Sequence, residues 1–314
     1  MAELTYIIPV FNGAQSIKRT IASIIEQPGR CSKIVVVDDG STDGTLDAVS
    51  GFGSILTLLR QPNAGPSVAR NLGLRACDTE IVCFIDADDY VIGPHSQSVE
   101  KIWHEDLDMV IGMTAEGNDD KICLANRNKY DSKSTNHSLL REFISGNCVQ
   151  TSTICWSTTF IKKLGGWDET LLSSEDVELA IRALIQNSRL LVSNAPGWVV
   201  WCHHSGPERM SHLSVRFARG QVRYHQKLLR LLEEHNCDPE TVRLFFHRCI
   251  EVGRFLYLNG FHQEAVELCS IAWTRGYREH PGPKAEKLLA RIFGPERTLA
   301  TREFVQHVKR GFFN

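Results

Sequence analysis

Long apolar runs are missing from this 314-residue chain: no stretch of 18 or more apolar residues occurs, so nothing in it reads as a membrane-spanning helix. The first residues, MAELTYIIPV, lack the basic segment, long apolar stretch and small-residue cleavage site of a secretory signal, and the expected location is the cytoplasm. The ten cysteines are scattered from Cys31 to Cys269 with no Cys-x-x-Cys pair, which argues against zinc and against a disulfide framework; they read as reduced, mostly buried thiols. No Gly-x-Gly-x-x-Gly loop follows the first apolar strand, which weighs against a dinucleotide-binding oxidoreductase.

What is present describes an ordinary globular protein, 42% hydrophobic and 23% charged, long enough for about two domains. The net charge of −2 hides an asymmetry. From residue 215 onward 17 Lys and Arg stand against 11 Asp and Glu. A basic C-terminal third suits an anionic neighbour such as a membrane surface or a lipid pyrophosphate, or else solvated helix faces; no nucleic-acid partner is expected.

Along the chain, apolar runs alternate with helical periodicity. LTYIIPV (4 to 10) reads as a buried strand that stops pairing near Pro9, and Ile17, Ile21, Ile24 and Ile25 recur at helical spacing over residues 14 to 26. IVVV (34 to 37) is a second buried strand, so strand, helix and strand form a parallel crossover unit. It runs into DDGSTDGT, where Asp38 and Asp39 emerge from an apolar strand, Gly40 permits a tight bend and Ser41 to Asp43 can cap the next helix. A carboxylate at the carboxyl end of a parallel strand is placed to accept from an N–H or hydroxyl of a nucleoside. A third strand (55 to 59) leads to QPNAGPSVARN: a loop at Asn63 and Gly65, Pro66 at a first helical position, Val68, Leu72 and Leu74 inward, and Arg70 one turn in, able to reach back to the loop.

The fourth strand ends in FIDADDY, residues 84 to 90, with Asp86, Asp88 and Asp89 inside four positions. Like charges crowded at the end of a buried strand repel, and a hard divalent cation would neutralise them; Mg2+ or Mn2+ takes one or two carboxylates and completes its shell with water and phosphate oxygens. An acidic turn that caps a helix is the plainer alternative. Residues 109 to 115 read as a further strand, 116 to 138 as an exposed loop or flap, and GGWDE (165 to 169) as a turn before a helix opened by Glu175 and Asp176. Ser173 with Asp176 also fits a helix cap.

IIPVFNG, VVVDDGSTDGT, NAGPSVARN and FIDADDY, in that order and each at a strand end, resemble the signature of the GT-A glycosyltransferases, family 2 in particular, over about residues 4 to 214. The resemblance implies a Rossmann-like, mostly parallel sheet flanked by helices in a catalytic domain of residues 1–214. Its nucleotide-sugar half would be 1–108 and its acceptor half 109–214, with an all-helical region over 215–314. It implies an inverting enzyme that moves a sugar from a nucleotide-sugar, usually UDP-linked, to an acceptor hydroxyl. Donor contacts carry over to Pro9, Phe11, Asn12, Asp39, Asn63, Gly65, Arg70, Asp86, Ala87 and Asp88. Asp88 and Asp86 would hold Mn2+ or Mg2+, with a histidine after the last strand, His204 rather than His203, completing the shell. Asp176 would be the general base, supported by Glu175. Trp156 and Trp167 are either sugar-stacking faces or core.

The same resemblance points to bacterial surface or exported polysaccharide synthesis on a saccharide or lipid-linked acceptor. The helices from 215 onward leave open packing on the catalytic domain, an oligomer or peripheral membrane contact; 240 to 277 resemble one tetratricopeptide-like helix pair, too little for a repeat array. A nucleotidyltransferase shares the acidic sheet edge but usually carries a Gly-rich basic loop after the first strand, where this chain has FNGAQS. A non-catalytic sugar-binding relative would not need every carboxylate that is present.

Overall fold

The computed structural model describes residues 2–28, 32–118, 121–123, 130–202 and 213–277. Eleven strands are described: β1 Leu4–Val10, β2 Lys33–Asp38, β3 Thr57–Arg60, β4 Ile81–Phe84, β5 Tyr90–Ile92, β6 Met109–Ile111, β7 Met113–Asn118, β8 Lys121–Cys123, β9 Ile154–Ser157, β10 Leu190–Val192 and β11 Trp198–Cys202. The helices are α1 Ile17–Ile25, α2 Thr45–Ser50, α3 Pro66–Ala76, α4 His95–Ile102, α5 Asn136–Ile144, α6 Thr158–Lys163, α7 Glu175–Ile185, α8 Val215–Glu234, α9 Pro239–Leu258 and α10 His262–Trp273.

Seven strands form one sheet in the order β10-β6-β9-β4-β1-β2-β3. Only β9 runs against its neighbours; the β1–β2, β1–β4, β2–β3 and β6–β10 pairs are parallel. Parallel strands are covered on both faces, which is why β1, β2 and β4 are nearly unbroken apolar runs rather than alternating ones. Strand order reverses between β1 and β4, and the carboxyl ends of β1, β2 and β4 open at that point. Ile17, Ile21 and Ile24 of α1 join Tyr6, Ile8, Val36 and Ile85 in the core on one side.

Several boundaries differ from those expected of the sequence. The strand expected over 109 to 115 is two strands in two sheets: β6 pairs with β9, and after Gly112 the chain enters a second sheet, β5-β11-β7-β8. Gly112 donates its N–H to the Thr153 carbonyl at 2.8 Å, and a Cβ there would stand 3.5 Å from the same oxygen. The stretch expected as a loop from 116 is strand through Asn118 and again over Lys121–Cys123. The first helix starts at Ile17, not at residue 14, because Ser16 and Ile17 both donate to the Gly13 carbonyl in a preceding turn. The third strand starts at Thr57 because residues 53–55 form a 3-10 turn. Pro9 does not end β1: pairing to β2 continues through Val10, while on the β4 side the ladder ends at Ile7.

The chain divides into two compact units. One comprises residues 1–139, 149–169 and 179–206 and holds both sheets; the other comprises residues 140–148, 170–178 and 207–314. In the second, α9 and α10 form the helix pair expected from the sequence. They approach closely at Gly253, where a Cβ would stand 3.1 Å from the Ala265 carbonyl. Asp238 caps α9 by accepting from Glu240 and Thr241 N–H groups, and Arg141 pairs with it at 2.7 Å.

Each unit encloses a neutral histidine. His95 shares a 2.6 Å hydrogen bond with the Tyr6 hydroxyl, and His225 Nδ1–H donates to the Gln221 carbonyl at 2.8 Å. Burial pulls both imidazoles down to about 4. A free imidazole titrates near 6.5, so between 6.5 and 4 the unfolded chain binds the protons. The stability these two groups contribute is complete above about pH 6.5 and is lost as pH falls towards 4. The expected result is a urea midpoint that drops from pH 7 to pH 5, with His95→Gln making the drop shallower; an unchanged slope in that variant would refute the assignment.

Candidate active site

The carboxyl ends of β1 and β2 are laced together by short polar side chains. Asn12, at φ +52°, donates its N–H to Ser41 Oγ at 2.9 Å, and its side-chain oxygen accepts from the Thr42 N–H at 2.9 Å. Gly13 N–H donates to Thr45 Oγ1 at 2.9 Å and Ala14 N–H to Asp43 at 3.1 Å. Asp43 also accepts from the Thr45 hydroxyl and N–H, and the hydroxyl bond above all lowers its pKa. Phe11, next to this knot, is exposed.

Asp38 and Asp39 are both buried and do different things. Asp38 accepts from the Ser41 N–H at 3.0 Å and pairs with Arg60 at 3.0 Å. Asp39 brackets the following loop: Oδ1 accepts from Ala64 N–H at 2.9 Å and Gln61 Nε2 at 2.7 Å, and Oδ2 from Gly65 N–H at 2.9 Å. Two carboxylate oxygens offer about four lone-pair directions, so about one remains for a ligand donor. Gly40, at φ +80°, permits the close approach, since a Cβ there would stand 2.7 Å from the Asn63 nitrogen. Gly65, at φ +98°, turns the chain into Pro66 of α3, and Asn63 is exposed on the loop.

Helix α3 turns a polar face inward. The sequence pattern put Val68 and Leu72 inside, but the buried positions are Ser67, Ala69, Arg70, Asn71, Gly73 and Leu74. Arg70 Nη2 donates to Asp86 at 2.8 Å, and its guanidinium lies 4.4 Å from the centre of the Trp167 ring. Trp167 meets Phe84 edge-on at 5.1 Å. Asn71 fixes the Trp167 segment, accepting from its N–H and donating to its carbonyl, both at 2.9 Å, and to Glu169 at 2.8 Å. The glycines of GGWDE make room for this, since a Cβ on Gly166 would stand 2.5 Å from Asn71 Oδ1. Trp156 and Trp167 are both buried, so neither presents an exposed stacking face. The Trp167 indole N–H is enclosed with no hydrogen-bond partner among the described residues.

The three carboxylates of FIDADDY have separate environments. Asp86 is 43% exposed at its side chain and bonded to Arg70, a charge-assisted contact of a kind that contributes about 1.5–3 kcal/mol. Asp89 is buried, accepting from Ser152 Oγ at 3.0 Å and Cys202 N–H at 3.1 Å. Desolvation, then the nearby Asp86 and Asp88 charges, hold its pKa well above the usual carboxylate range. Asp88 is half-buried. The backbone beneath them is gripped by α1: the Thr20 hydroxyl shares its one proton between the Ala87 carbonyl at 2.9 Å and the Asp89 carbonyl at 2.6 Å, and Arg19 Nη2 donates to the Asp88 carbonyl at 2.9 Å.

Asp86 and Asp88 are therefore partly exposed while the third carboxylate is internal. A hard oxygen donor set of one or two carboxylates suits Mg2+ or Mn2+, whose other positions go to water and phosphate. Among the described residues no three His, Cys, Asp or Glu side chains form a metal-holding group; His203 and His204 lie outside the described residues. Asp176 and Glu175 stand in the first turn of α7, in the second unit, with Glu175 buried and Asp176 half-buried. The helix is entered through Ser174, at φ +59°, whose carbonyl accepts from the Glu178 N–H at 3.0 Å. Sequence reasoning missed Arg19, Thr20, Asn71 and Glu169. Thr20 was detectable, because it falls on the inward face of α1 between Ile17, Ile21 and Ile24.

The chain is similar to several known proteins. Residues 5–158 match the model of glycosyl transferase family 2. The pre-mycofactocin glycosyltransferase of Mycobacterium tuberculosis is 29% identical over 198 residues, 60% of this chain and 40% of that protein. The chain thus spans less than half the length of that relative. The glycosyltransferase AglE of Haloferax volcanii is 26% identical over 70% of this chain and 73% of that protein. Among solved structures, residues 1–349 of S. aureus TarS superpose with TM-score 0.67 at 18% identity, covering 97% of this chain and 91% of that one. The mannosyltransferase PcManGT from Pyrobaculum calidifontis, solved with GDP-Man and Mn2+, superposes with TM-score 0.56 at 20% identity over 96% and 83%. Four motif-bearing strand ends, a sheet whose order reverses between them and the family match make residues 5–158 a glycosyl transferase family 2 region, and the superpositions show the GT-A fold.

Proposed function

We propose that this chain is a metal-dependent, inverting glycosyltransferase that takes a UDP-linked sugar and passes the sugar to a hydroxyl of a saccharide or lipid-linked saccharide. The observation that carries this reading is the Arg70–Asp86 pair laid on Trp167 at the end of β4, two residues before Asp88, where strand order reverses. A fixed cation beside two partly exposed carboxylates suits a ligand that carries both hydroxyls and a diphosphate. TarS has been solved with UDP-GlcNAc and PcManGT with GDP-Man and Mn2+, which supports a nucleotide-sugar and a divalent cation in the family.

In this reading Asp39 and the 61–65 loop hold the nucleoside, Arg70 orients Asp86 toward the ribose, and Asp86 and Asp88 hold the cation. When bound, the cation offsets the charge that builds on the diphosphate as it leaves. The acceptor oxygen bonds to C1 from the face opposite the diphosphate, the C1–O bond breaks with its electron pair going to UDP, and the acceptor proton passes to Asp176. One displacement inverts C1. Positioned proton transfer of this kind contributes about 10² to 10⁴ in rate. The setting that fits is bacterial glycoconjugate synthesis at the cytoplasmic face of the membrane, with the basic C-terminal third against anionic lipid.

Two variants test the reading. Asp88→Ala should bind UDP equally in Mn2+ and in EDTA, whereas the parent binds more tightly in Mn2+; if the variant keeps the Mn2+ effect, the metal assignment fails. Asp176→Asn should keep UDP affinity within about twofold while turnover falls by about two or more orders of magnitude, and sustained turnover would remove the base.

A further inference from the structure

The turn that carries Asp176 is built by the C-terminal helices. Residues 170–178 group with 207–314, and one stripe of α8, at positions 220, 221, 224 and 227, is turned toward that turn at helical spacing. At Gly220 the two backbones nearly touch: a Cβ would stand 3.1 Å from Ser173 Cβ and 3.2 Å from the Ser173 nitrogen. Gln221, buried, donates from Nε2 to Ser174 Oγ at 3.0 Å and Ser173 Oγ at 3.3 Å. One helical turn further along α7, Glu178 is fully enclosed and pairs with Lys227 Nζ at 2.8 Å.

Ser174 and Glu178 bracket Asp176 in sequence and are joined by the first hydrogen bond of α7. Both ends of the turn that holds the carboxylate are therefore clamped by α8, one through Gln221 and one through Lys227. Asp176 is also felt by the groups around this stripe. Tyr224 is buried, and burial, then the neighbouring Cys148 and Asp176 charges, raises the pKa of its hydroxyl.

We propose that α8 is a positioning element for the transfer step: Gln221 and Lys227, through Ser173, Ser174 and Glu178, set the orientation of the Asp176 carboxylate. This rests on the reading of Asp176 as the base. Neither residue acts on substrate; they act through the turn. Displacement of a catalytic group by about 1 Å costs about 10²-fold in rate, so loosening either clamp should lower turnover without altering nucleotide binding. Lys227 cannot be removed alone without orphaning a buried carboxylate, so its test pairs Lys227→Met with Glu178→Gln.

The experiment uses the full chain and measures kcat, the KM values and the UDP dissociation constant for Gln221→Leu, the Glu178→Gln/Lys227→Met double variant, Lys227→Arg and Asp176→Asn. The expected result is a kcat lowered by roughly 10-fold or more in Gln221→Leu and in the double variant, UDP affinity within about twofold, and most of the rate recovered with Lys227→Arg. Parent-like kcat in Gln221→Leu and the double variant, beside an inactive Asp176→Asn, overturns the proposal and leaves the base in place. A parallel loss of UDP affinity marks a merely structural role and overturns it too. Sustained turnover in Asp176→Asn instead strikes the functional reading itself.

Discussion

Three carboxylates within four residues at the end of a buried strand are the constraint the sheet-bearing unit is built around. Left alone, charges so close would repel strongly in a poorly screened environment. The protein treats each one differently. Asp86 is answered by a guanidinium, Asp89 is taken inside where the protonated form is favoured, and Asp88 stays part-exposed on backbone gripped by Arg19. The helices on either side are shaped by the same constraint. Helix α1 donates Thr20 and Arg19 to the loop's carbonyls, and α3 gives its inward face to Arg70 and Asn71 instead of to aliphatic side chains.

Arg70 shows how the arrangement is layered. A buried guanidinium is costly unless its charge is paired and its flat faces are covered. Asp86 supplies the pair and Trp167 a face, where a cation over an aromatic ring adds about 0.5–2 kcal/mol. Trp167 is in turn held by Asn71, one residue along the same helix, so the arginine and the anchor of its aromatic partner move as one body. The positive-φ glycines of GGWDE are what let the tryptophan backbone come this close.

The strand ends were legible because parallel strands covered on both faces must be continuous apolar runs, and acids that interrupt such runs stand out: Asp38 and Asp39 after IVVV, Asp86 after IVCFI. What α3 buries was not legible, because helical periodicity assumes that the inward stripe is apolar. Arg70 and Asn71 break that assumption, and their partners Trp167 and Glu169 lie nearly a hundred residues away. The apparent strand at 109 to 115 failed for a related reason: its hydrophobicity is continuous although the backbone changes sheets at Gly112. The role of α8 was equally hidden, since Gln221 and Lys227 look like ordinary helix-surface residues until their serine and glutamate partners are seen.

The change of sheet at Gly112 has a consequence for how such a chain can diversify. The strands that present the acids belong to one hydrogen-bonded ladder, and the β7–β8 hairpin belongs to another. With the crossing peptide fastened to the Thr153 carbonyl, residues can be added to or taken from the hairpin without sliding β6 against β9. The β6–β9 register is thereby insulated from the hairpin, whereas Asp89, which accepts from the Cys202 N–H of β11, is tied to the strand that pairs with β7.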